Sequence, residues 1–478
     1  MRLLELSVTA KEPILIINNV IQKVRKVLSK DSSQDDSLSA KALTAKVIPR
    51  AEHNVTRREI SDNALKVLYR LNSAGYQAYL VGGCVRDIMM GQHPKDFDVA
   101  TNATPEQIKE QFKNCRLIGR RFRLAHIVFG REVIEVATFR GHHSGSEQGS
   151  GDSLGKQTDE GQLTRDNVFG TIDEDAQRRD FTFNAMYYSV ADFSVTDFAD
   201  GRTAIKKRIV ELIGDPATRY REDPVRMLRA VRFAAKLDMK ISERTGSPIF
   251  ELAGLLSNIP AARLFEEYLK LFLSGKALKT FELMDQYGLF APLFPQLGQV
   301  IQNQENREYQ FIRQVLVNTD NRINNDQRVT PAFLLAVFLW YPLEEHFQKL
   351  MSESGLQPHD AFNIAMSEVL SQQIQRIMIP KRFSIAMREI WQLQQRLPKR
   401  FGRRAQQLVN HPRFRAAYDF LLLRGQIEGG DALEVAQWWT EYQDASPEVR
   451  KKMANSGGHS NHRRRTPRRK RKPSASDA

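Results

Sequence analysis

Apolar positions change period near residue 205. Upstream, Ala64, Leu65, Leu68 and Leu71 recur at helical spacing, Ser61 stands where a cap belongs, and Gly75 ends the run. Short runs of strand-forming residues follow at 78–81, 97–100, 126–129, 133–139 and 195–198. Downstream, helical periodicity takes over at 224–237, 262–272, 277–287, 331–338, 359–370 and 384–395, with no repeat of fixed length. The pattern predicts an α/β head, a mixed sheet with helices, followed by a mainly α-helical body, multidomain α+β overall. Residues 1–60 read as a partly disordered N-terminal arm with a Ser/Asp-rich patch at 29–39, and 61–204 as the head. Within the head, 141–162 is rich in Gly, Ser, Asp and Gln and reads as a flexible surface loop. His142 and His143 open that loop with no partner ligand nearby in sequence, so they read as solvated. Residues 205–275 form a helical neck, 276–450 a helical body, and 451–478 a disordered basic tail.

Composition narrows this picture. The 478 residues suffice for about three domains with sizeable cores. Two cysteines, Cys84 and Cys115, exclude a disulfide framework and a Cys-rich zinc module, which fits a reducing cytoplasm. The apolar run at 13–17 is interrupted by Asn18, Asn19, Lys23, Arg25 and Lys26, far short of the ~20 residues a spanning helix needs. No small-residue cleavage site follows it, so it does not read as a signal peptide. The formal net charge is +15, and residues 463–472 hold eight basic residues in ten. Such a block attracts polyanions by releasing their counterions, and by itself leaves RNA, DNA and anionic lipid open.

The candidate chemistry lies in Val81-Gly82-Gly83-Cys84-Val85-Arg86-Asp87 and in Lys95-Asp96-Phe97-Asp98. Side chains alternate along a strand, so Asp96 and Asp98 share one face while Phe97 points to the other. Two converging carboxylates suit Mg²⁺, usually held by one or two acids plus substrate phosphates, which points to a nucleotide. Gly82 and Gly83 let the backbone approach a triphosphate where a helix begins, and Arg86 follows to grip it.

Strand, phosphate turn, helix and a strand with two acids together resemble the nucleotidyltransferase superfamily, in the class II family of CCA-adding enzymes and bacterial poly(A) polymerases. That family usually has a small residue where this chain has Cys84. The run Arg178-Arg179-Asp180-Phe181-Thr182-Phe183-Asn184-Ala185 is similar to the family's second motif, R-R-D-F-T-x-N-A. By that resemblance Arg179 contacts the nucleotide and Asp180 supports the catalytic constellation; an N-cap for the following helix is the alternative role of Asp180. Glu135, an acid among apolar neighbours in Val133-Ile134-Glu135-Val136, is the other candidate for a third carboxylate. A third segment, Arg221-Glu222-Asp223-Pro224-Val225-Arg226-Met227-Leu228-Arg229-Ala230-Val231-Arg232, places Asp223 as cap and Pro224 at the first helical position. It resembles the E-D-x-x-R motif that reads the incoming base. This implies that Asp223 and Arg226 bond the base edge, with Arg229 and Arg232 near the phosphates or RNA. The implied reaction uses two Mg²⁺, one lowering the pKa of an RNA 3′-hydroxyl and the other, with the arginines, neutralising pyrophosphate.

The segment Leu117-Ile118-Gly119-Arg120-Arg121-Phe122-Arg123-Leu124-Ala125-His126-Ile127 is similar to one that distinguishes the bacterial poly(A) polymerase type, departing at Ile127 where Val is usual. Physically it is a basic strand edge able to hold RNA through Arg120, Arg121 and Arg123. The basic stretch 381–404 and the segment 411–419 extend the resemblance, and Phe414 and Tyr418 there read either as stacking rings or as core. The implied activity is template-independent addition of AMP from ATP to RNA 3′ ends (mRNA, small RNAs, tRNA precursors) by a cytoplasmic monomer working with RNA-decay proteins. A CCA-adding tRNA enzyme and a catalytically idle RNA-binding adaptor are the alternatives.

Overall fold

Ser61 does cap the first helix: its side chain accepts the Ala64 amide at 3.1 Å, and Asp62–Ser73 buries Ala64, Val67, Leu68 and Leu71. The computed structural model describes residues 45–119, 123–141, 155–157, 163–166, 168–298 and 303–456. Arg120 and Arg121, the arm through residue 44, His142 and His143, and the basic tail from residue 457 lie outside the described residues; residues 451–456, expected as disordered tail, instead complete the helix Pro447–Ser456.

Ten strands of the head can be numbered in chain order: β1 Lys46–Ile48, β2 Ala78–Val81, β3 Asp98–Thr101, β4 Cys115–Ile118, β5 Leu124–Phe129, β6 Glu132–Thr138, β7 Gly155–Gln157, β8 Leu163–Asp166, β9 Met186–Ser189 and β10 Val195–Asp197. Eight of them form one sheet in the order β1-β10-β9-β2-β3-β6-β5-β4. Every pairing is antiparallel except β3 with β6. The other two pair antiparallel; β7 lies within the segment 141–162 expected to be a loop and β8 directly after it, where short polar strands give no alternation to read. The head also starts earlier than residue 61, because Val47 pairs with Thr196 and Ile48, Val55 and Ile60 are buried in its core.

One sheet face carries Leu80, Val99, Val136, Ala125 and Tyr188 into this core under the helices Asp62–Ser73 and Pro105–Gln111. Phe97, just before β3, joins them at 8% exposure, and within β3 Asp98 alternates with the buried Val99 and so faces away from this core. The expected boundary near residue 275 does not separate two cores. Phe181 and Phe183 of the head, Tyr268 and Phe272 of the neck, and Phe338 of the body share one apolar cluster. A smaller cluster around Trp439 holds the last helices together, and Phe414 and Tyr418 are part of it at 5% exposure each. They are core rather than stacking rings.

Candidate active site

Strand register assembles the site. Asp98 opens β3 and lies opposite Val81, the residue before the glycine turn, while its parallel neighbour on β6 is Glu135. Register partners share a sheet face, so Asp98 and Glu135 stand side by side, and His126, the partner of Glu135 on β5, continues the row. His126 Nε2 lies 3.2 Å from Glu135 Oε1, close but outside hydrogen-bonding alignment. On the other side the row reaches Tyr187, register partner of Val81. Asp96 precedes the strand and is exposed.

Burial first, then the Glu135 carboxylate and more weakly Asp96, push the Asp98 carboxyl up to about 6 against the opposing pull of Arg179. That excess of negative charge is what a divalent cation relieves, and the donors are the hard oxygens that Mg²⁺ prefers. Among the described residues no three acids, histidines or cysteines converge tightly enough to enclose an ion unaided. Substrate oxygens would have to complete the shell, which is the usual situation of Mg²⁺ beside a nucleotide.

Gly82 adopts φ +76°, and a Cβ there would stand 3.4 Å from Arg179 Nη1 and 4.0 Å from Asp98 Oδ2, so the turn brings bare backbone up to both side chains. The neighbouring Cys84 is buried, donates its thiol to the Val81 carbonyl at 3.2 Å, and is pushed up to about 12 by burial. It behaves as the small core residue usual at that place. Arg86 departs from the expectation of a free phosphate grip. It is 3% exposed and spends its donors on Asn184 Oδ1 at 2.9 Å and Asp87 Oδ1 at 2.6 and 2.8 Å, bracing the glycine turn against the second motif.

Arg179 is held in place by residues the motifs did not single out. Its Nε donates to Tyr187 Oη at 2.7 Å, the Tyr187 hydroxyl donates to Asp175 Oδ2 at 2.6 Å, and Arg179 Nη2 donates to the same oxygen at 3.1 Å. Burial opposes its charge, but Tyr187 and Asp175 outweigh that and hold its pKa above the ordinary arginine value. Asp175 stands four residues before Arg179, a helical spacing that was readable; Tyr187 needed the sheet register.

Asp180 is not a helix cap, and both its carboxylate oxygens accept from protein donors. Its Oδ1 accepts from the Phe181 amide at 2.8 Å and Asn184 Nδ2 at 2.9 Å, and its Oδ2 from Arg229 Nε at 2.7 Å. Burial pushes its carboxyl up, but Arg229 and Asn184 prevail and hold it well below the usual carboxylate range. The following turn, Thr182–Asn184, has no side-chain cap.

The helix Val225–Leu237 begins one residue later than expected, and Asp223 Oδ1 accepts the Val225 amide at 3.3 Å. Asp223 Oδ2 also accepts from Arg263 Nη2 at 2.7 Å. Arg226 Nη1 donates to Glu222 Oε2 at 2.8 Å and to the Arg219 carbonyl at 2.7 Å. Arg219, in the preceding helix Pro216–Glu222, donates to the carbonyls of Arg178 and Arg179 and so links that helix to the second motif. Arg232 lies over the Phe233 ring at 4.7 Å, and burial and Arg229 bring it down to about 10. Arg123 pairs with Glu106 at 2.6 Å beside β5.

Sequence models of three families match: the poly A polymerase head domain over residues 78–211, the probable RNA and SrmB-binding site of polymerase A over 238–300, and the polymerase A arginine-rich C-terminus over 354–473. The chain is 55% identical over 433 residues to poly(A) polymerase I of Salmonella typhimurium, covering 90% of this chain and 92% of that one. Identity to poly(A) polymerase I of Escherichia coli O157:H7 is 54% over 450 residues, covering 94% and 96%. A CCA-adding enzyme of Lactobacillus delbrueckii subsp. bulgaricus is 34% identical over 229 residues, 48% of this chain and 54% of that protein. Among solved structures, the Bacillus stearothermophilus CCA-adding enzyme in complex with CTP superposes with a TM-score of 0.54 at 22% identity, covering 78% of this chain and 80% of that one, a likeness of fold.

Proposed function

This chain belongs to the bacterial poly(A) polymerase I family, and from that premise we propose how its residues divide the work of adding AMP from ATP to RNA 3′ ends. The observation that carries the reading is the side-by-side register of Asp98 and Glu135, with Asp96 two residues before Asp98, next to the open turn at Gly82 and the guanidinium of Arg179. Asp96 and Asp98, joined by Glu135, are the residues that would hold Mg²⁺. Mg²⁺ held by these acids, one ion or two, would supply activation of the RNA 3′-hydroxyl and neutralisation of the departing pyrophosphate.

The chain's own residues do the rest. Arg179 faces the phosphates over Gly82, held rigid by Tyr187 and Asp175, so its charge needs no reorganisation when negative charge develops. Asp223 accepts from an exocyclic amine and Arg226 donates to ring nitrogen or oxygen, each steadied by a partner, Arg263 and Glu222. Asp180 fixes Arg229 and so ties the base-reading helix to the catalytic sheet. Arg232 stands beside Arg229 toward the triphosphate, and Arg120, Arg121 and Arg123 take RNA. Action on mRNA, small RNAs and tRNA precursors ahead of decay, in the cytoplasm and as a monomer, completes the proposal. No helix among the described residues is long and apolar enough to cross a membrane.

The test is incubation with Mg²⁺, a single-stranded RNA bearing a free 3′-hydroxyl, and each nucleoside triphosphate separately. Long ladders with ATP alone are expected; a short CMP-dependent extension of a tRNA lacking its end would instead assign CCA addition. Replacing Asp96 and Asp98 by Ala abolishes addition and leaves RNA binding intact. Retained addition sinks the metal assignment.

A further inference from the structure

We propose that Arg116 binds the RNA at its reacting end, gripping a phosphodiester next to the 3′-terminal nucleotide. The inference rests on the poly(A) polymerase reading and names a residue outside every motif read from the sequence. Its ground is the strand register of the head. Arg116 on β4 is opposite His126 on β5, His126 is opposite Glu135 on β6, and Glu135 is beside Asp98 on β3. Register partners share a sheet face, so the four side chains form one row leading from the edge of the sheet to the carboxylates. Strands spaced ~4.8 Å put Arg116 about 14 Å from Asp98 at the backbone, a gap that its long side chain shortens.

The direction of the row decides what meets it. Gly82 and Arg179, the triphosphate side of the site, adjoin Asp98 from β2. In phosphoryl transfer the attacking and leaving oxygens lie roughly in line through phosphorus. A hydroxyl attacking beside Asp98 and Glu135 therefore arrives from the opposite side, over β6, β5 and β4, with its own chain trailing toward Arg116. Arg116 is free to receive it. The residue is exposed, and no hydrogen bond or ion pair engages its guanidinium among the described residues, whereas Arg123, in the connection to β5, is spent on Glu106. His126 accounts for that freedom: its Nε2 lies 3.2 Å from Glu135 Oε1, so the imidazole stands between Arg116 and the acid in the same row and keeps the two from pairing. Ile118, two residues along β4 on this face, is 40% exposed, and Val133, two residues before Glu135, is 38% exposed. An unpaired cation bordered by aliphatic side chains suits a nucleotide within a strand: the phosphate meets the guanidinium, and the sugar and base lie against the apolar groups.

The experiment uses the full chain with ATP, Mg²⁺ and short 5′-labelled oligoadenylates, either with every linkage a phosphate or with one uncharged methylphosphonate at the last or the penultimate linkage. Arg116 is exposed, so Arg116→Gln keeps the fold. That variant is expected to raise KM for the all-phosphate RNA about tenfold, the worth of one charge-assisted hydrogen bond, and to leave KM for ATP unchanged. Arg116→Lys, which keeps the charge, should recover part of the loss. The parent should suffer a comparable loss when the methylphosphonate occupies one of the two linkages, and Arg116→Gln should be blind to it there, because removing either partner removes the same contact. Additive losses at both linkages, an unchanged KM for RNA in Arg116→Gln, or a rise in KM for ATP in its place would each overturn the proposal. Absence of AMP addition by the unsubstituted chain would instead strike the activity on which it rests.

Discussion

Asp98→Asn should make the protein inactive and more stable. Asp98 is displaced from 3.8 to about 6 because folding puts its carboxylate out of water and beside Glu135. At ~1.36 kcal/mol per unit, the ionised form costs the folded state at most about 3 kcal/mol. Residual solvent contact screens part of that, leaving about 1–2 kcal/mol. The sign follows from linkage: between pH 3.8 and about 6 the folded chain binds this proton more readily than the unfolded chain, so stability falls as pH rises through that window. Above it the cost is fully present; below it the cost is gone. Asparagine keeps the shape and removes the charge, and Arg179 stays compensated by Asp175. In EDTA at pH 7.5 the variant should unfold about 1–2 °C higher than the parent. The advantage should vanish near pH 4, and added Mg²⁺ should erase it by binding the native parent alone. Equal or lower stability of the variant in EDTA at pH 7.5, or a gap unchanged by pH, would refute the reasoning.

Other expectations follow from the same contacts. AMP addition should rise as pH increases through about 6, because Asp98 must shed its proton to ligate, and a flat profile from pH 5 to 8 would remove Asp98 from that role. Tyr187→Phe frees Arg179 from one of its three hydrogen-bonded partners and should lower kcat/KM for ATP about tenfold with little change in unfolding, read by steady-state kinetics. Asp180→Asn takes from the part-buried Arg229 its nearest counter-charge, leaving only the weaker pull of Glu267 and Asp223, and should destabilise the chain by about 1–3 kcal/mol in urea denaturation, lost as pH falls only far into the acid range, where Asp180 itself protonates.

What was readable in the chain and what was not divide along physical lines. Phe97 at the core and Asp98 facing away from it follow the alternation expected of a strand, although β3 opens only at Asp98 and leaves Asp96 outside it; Asp223, expected as the cap, stands one residue further out, because the helix starts at Val225 after Pro224. Glu135 was half legible: an acid between apolar residues signals a partner, but only the pairing of β3 with β6 names it. The strand Met186–Ser189 went unread because it is buried on both faces and shows no alternation. Arg86 was misjudged for a related reason. Its position after the glycine turn suggested phosphate, whereas Asn184, which claims it, comes from a distant stretch of chain. Arg219 and Arg263 carry no signal of their own, since each matters through a residue about 40 positions away, and Tyr187 reaches Arg179 only through the fold of the sheet.

The lone parallel pairing in the sheet also bears on how the protein folds. Hairpins such as β5 with β6 zip from their turns, but β3 can meet β6 only after a helix and two strands between them have found their places. That closure must also push two carboxylates together against their repulsion, driven by the apolar side of the same strands. Assembly of the catalytic row is therefore a late event in refolding, and a newly made chain would acquire its secondary structure before it acquired its chemistry.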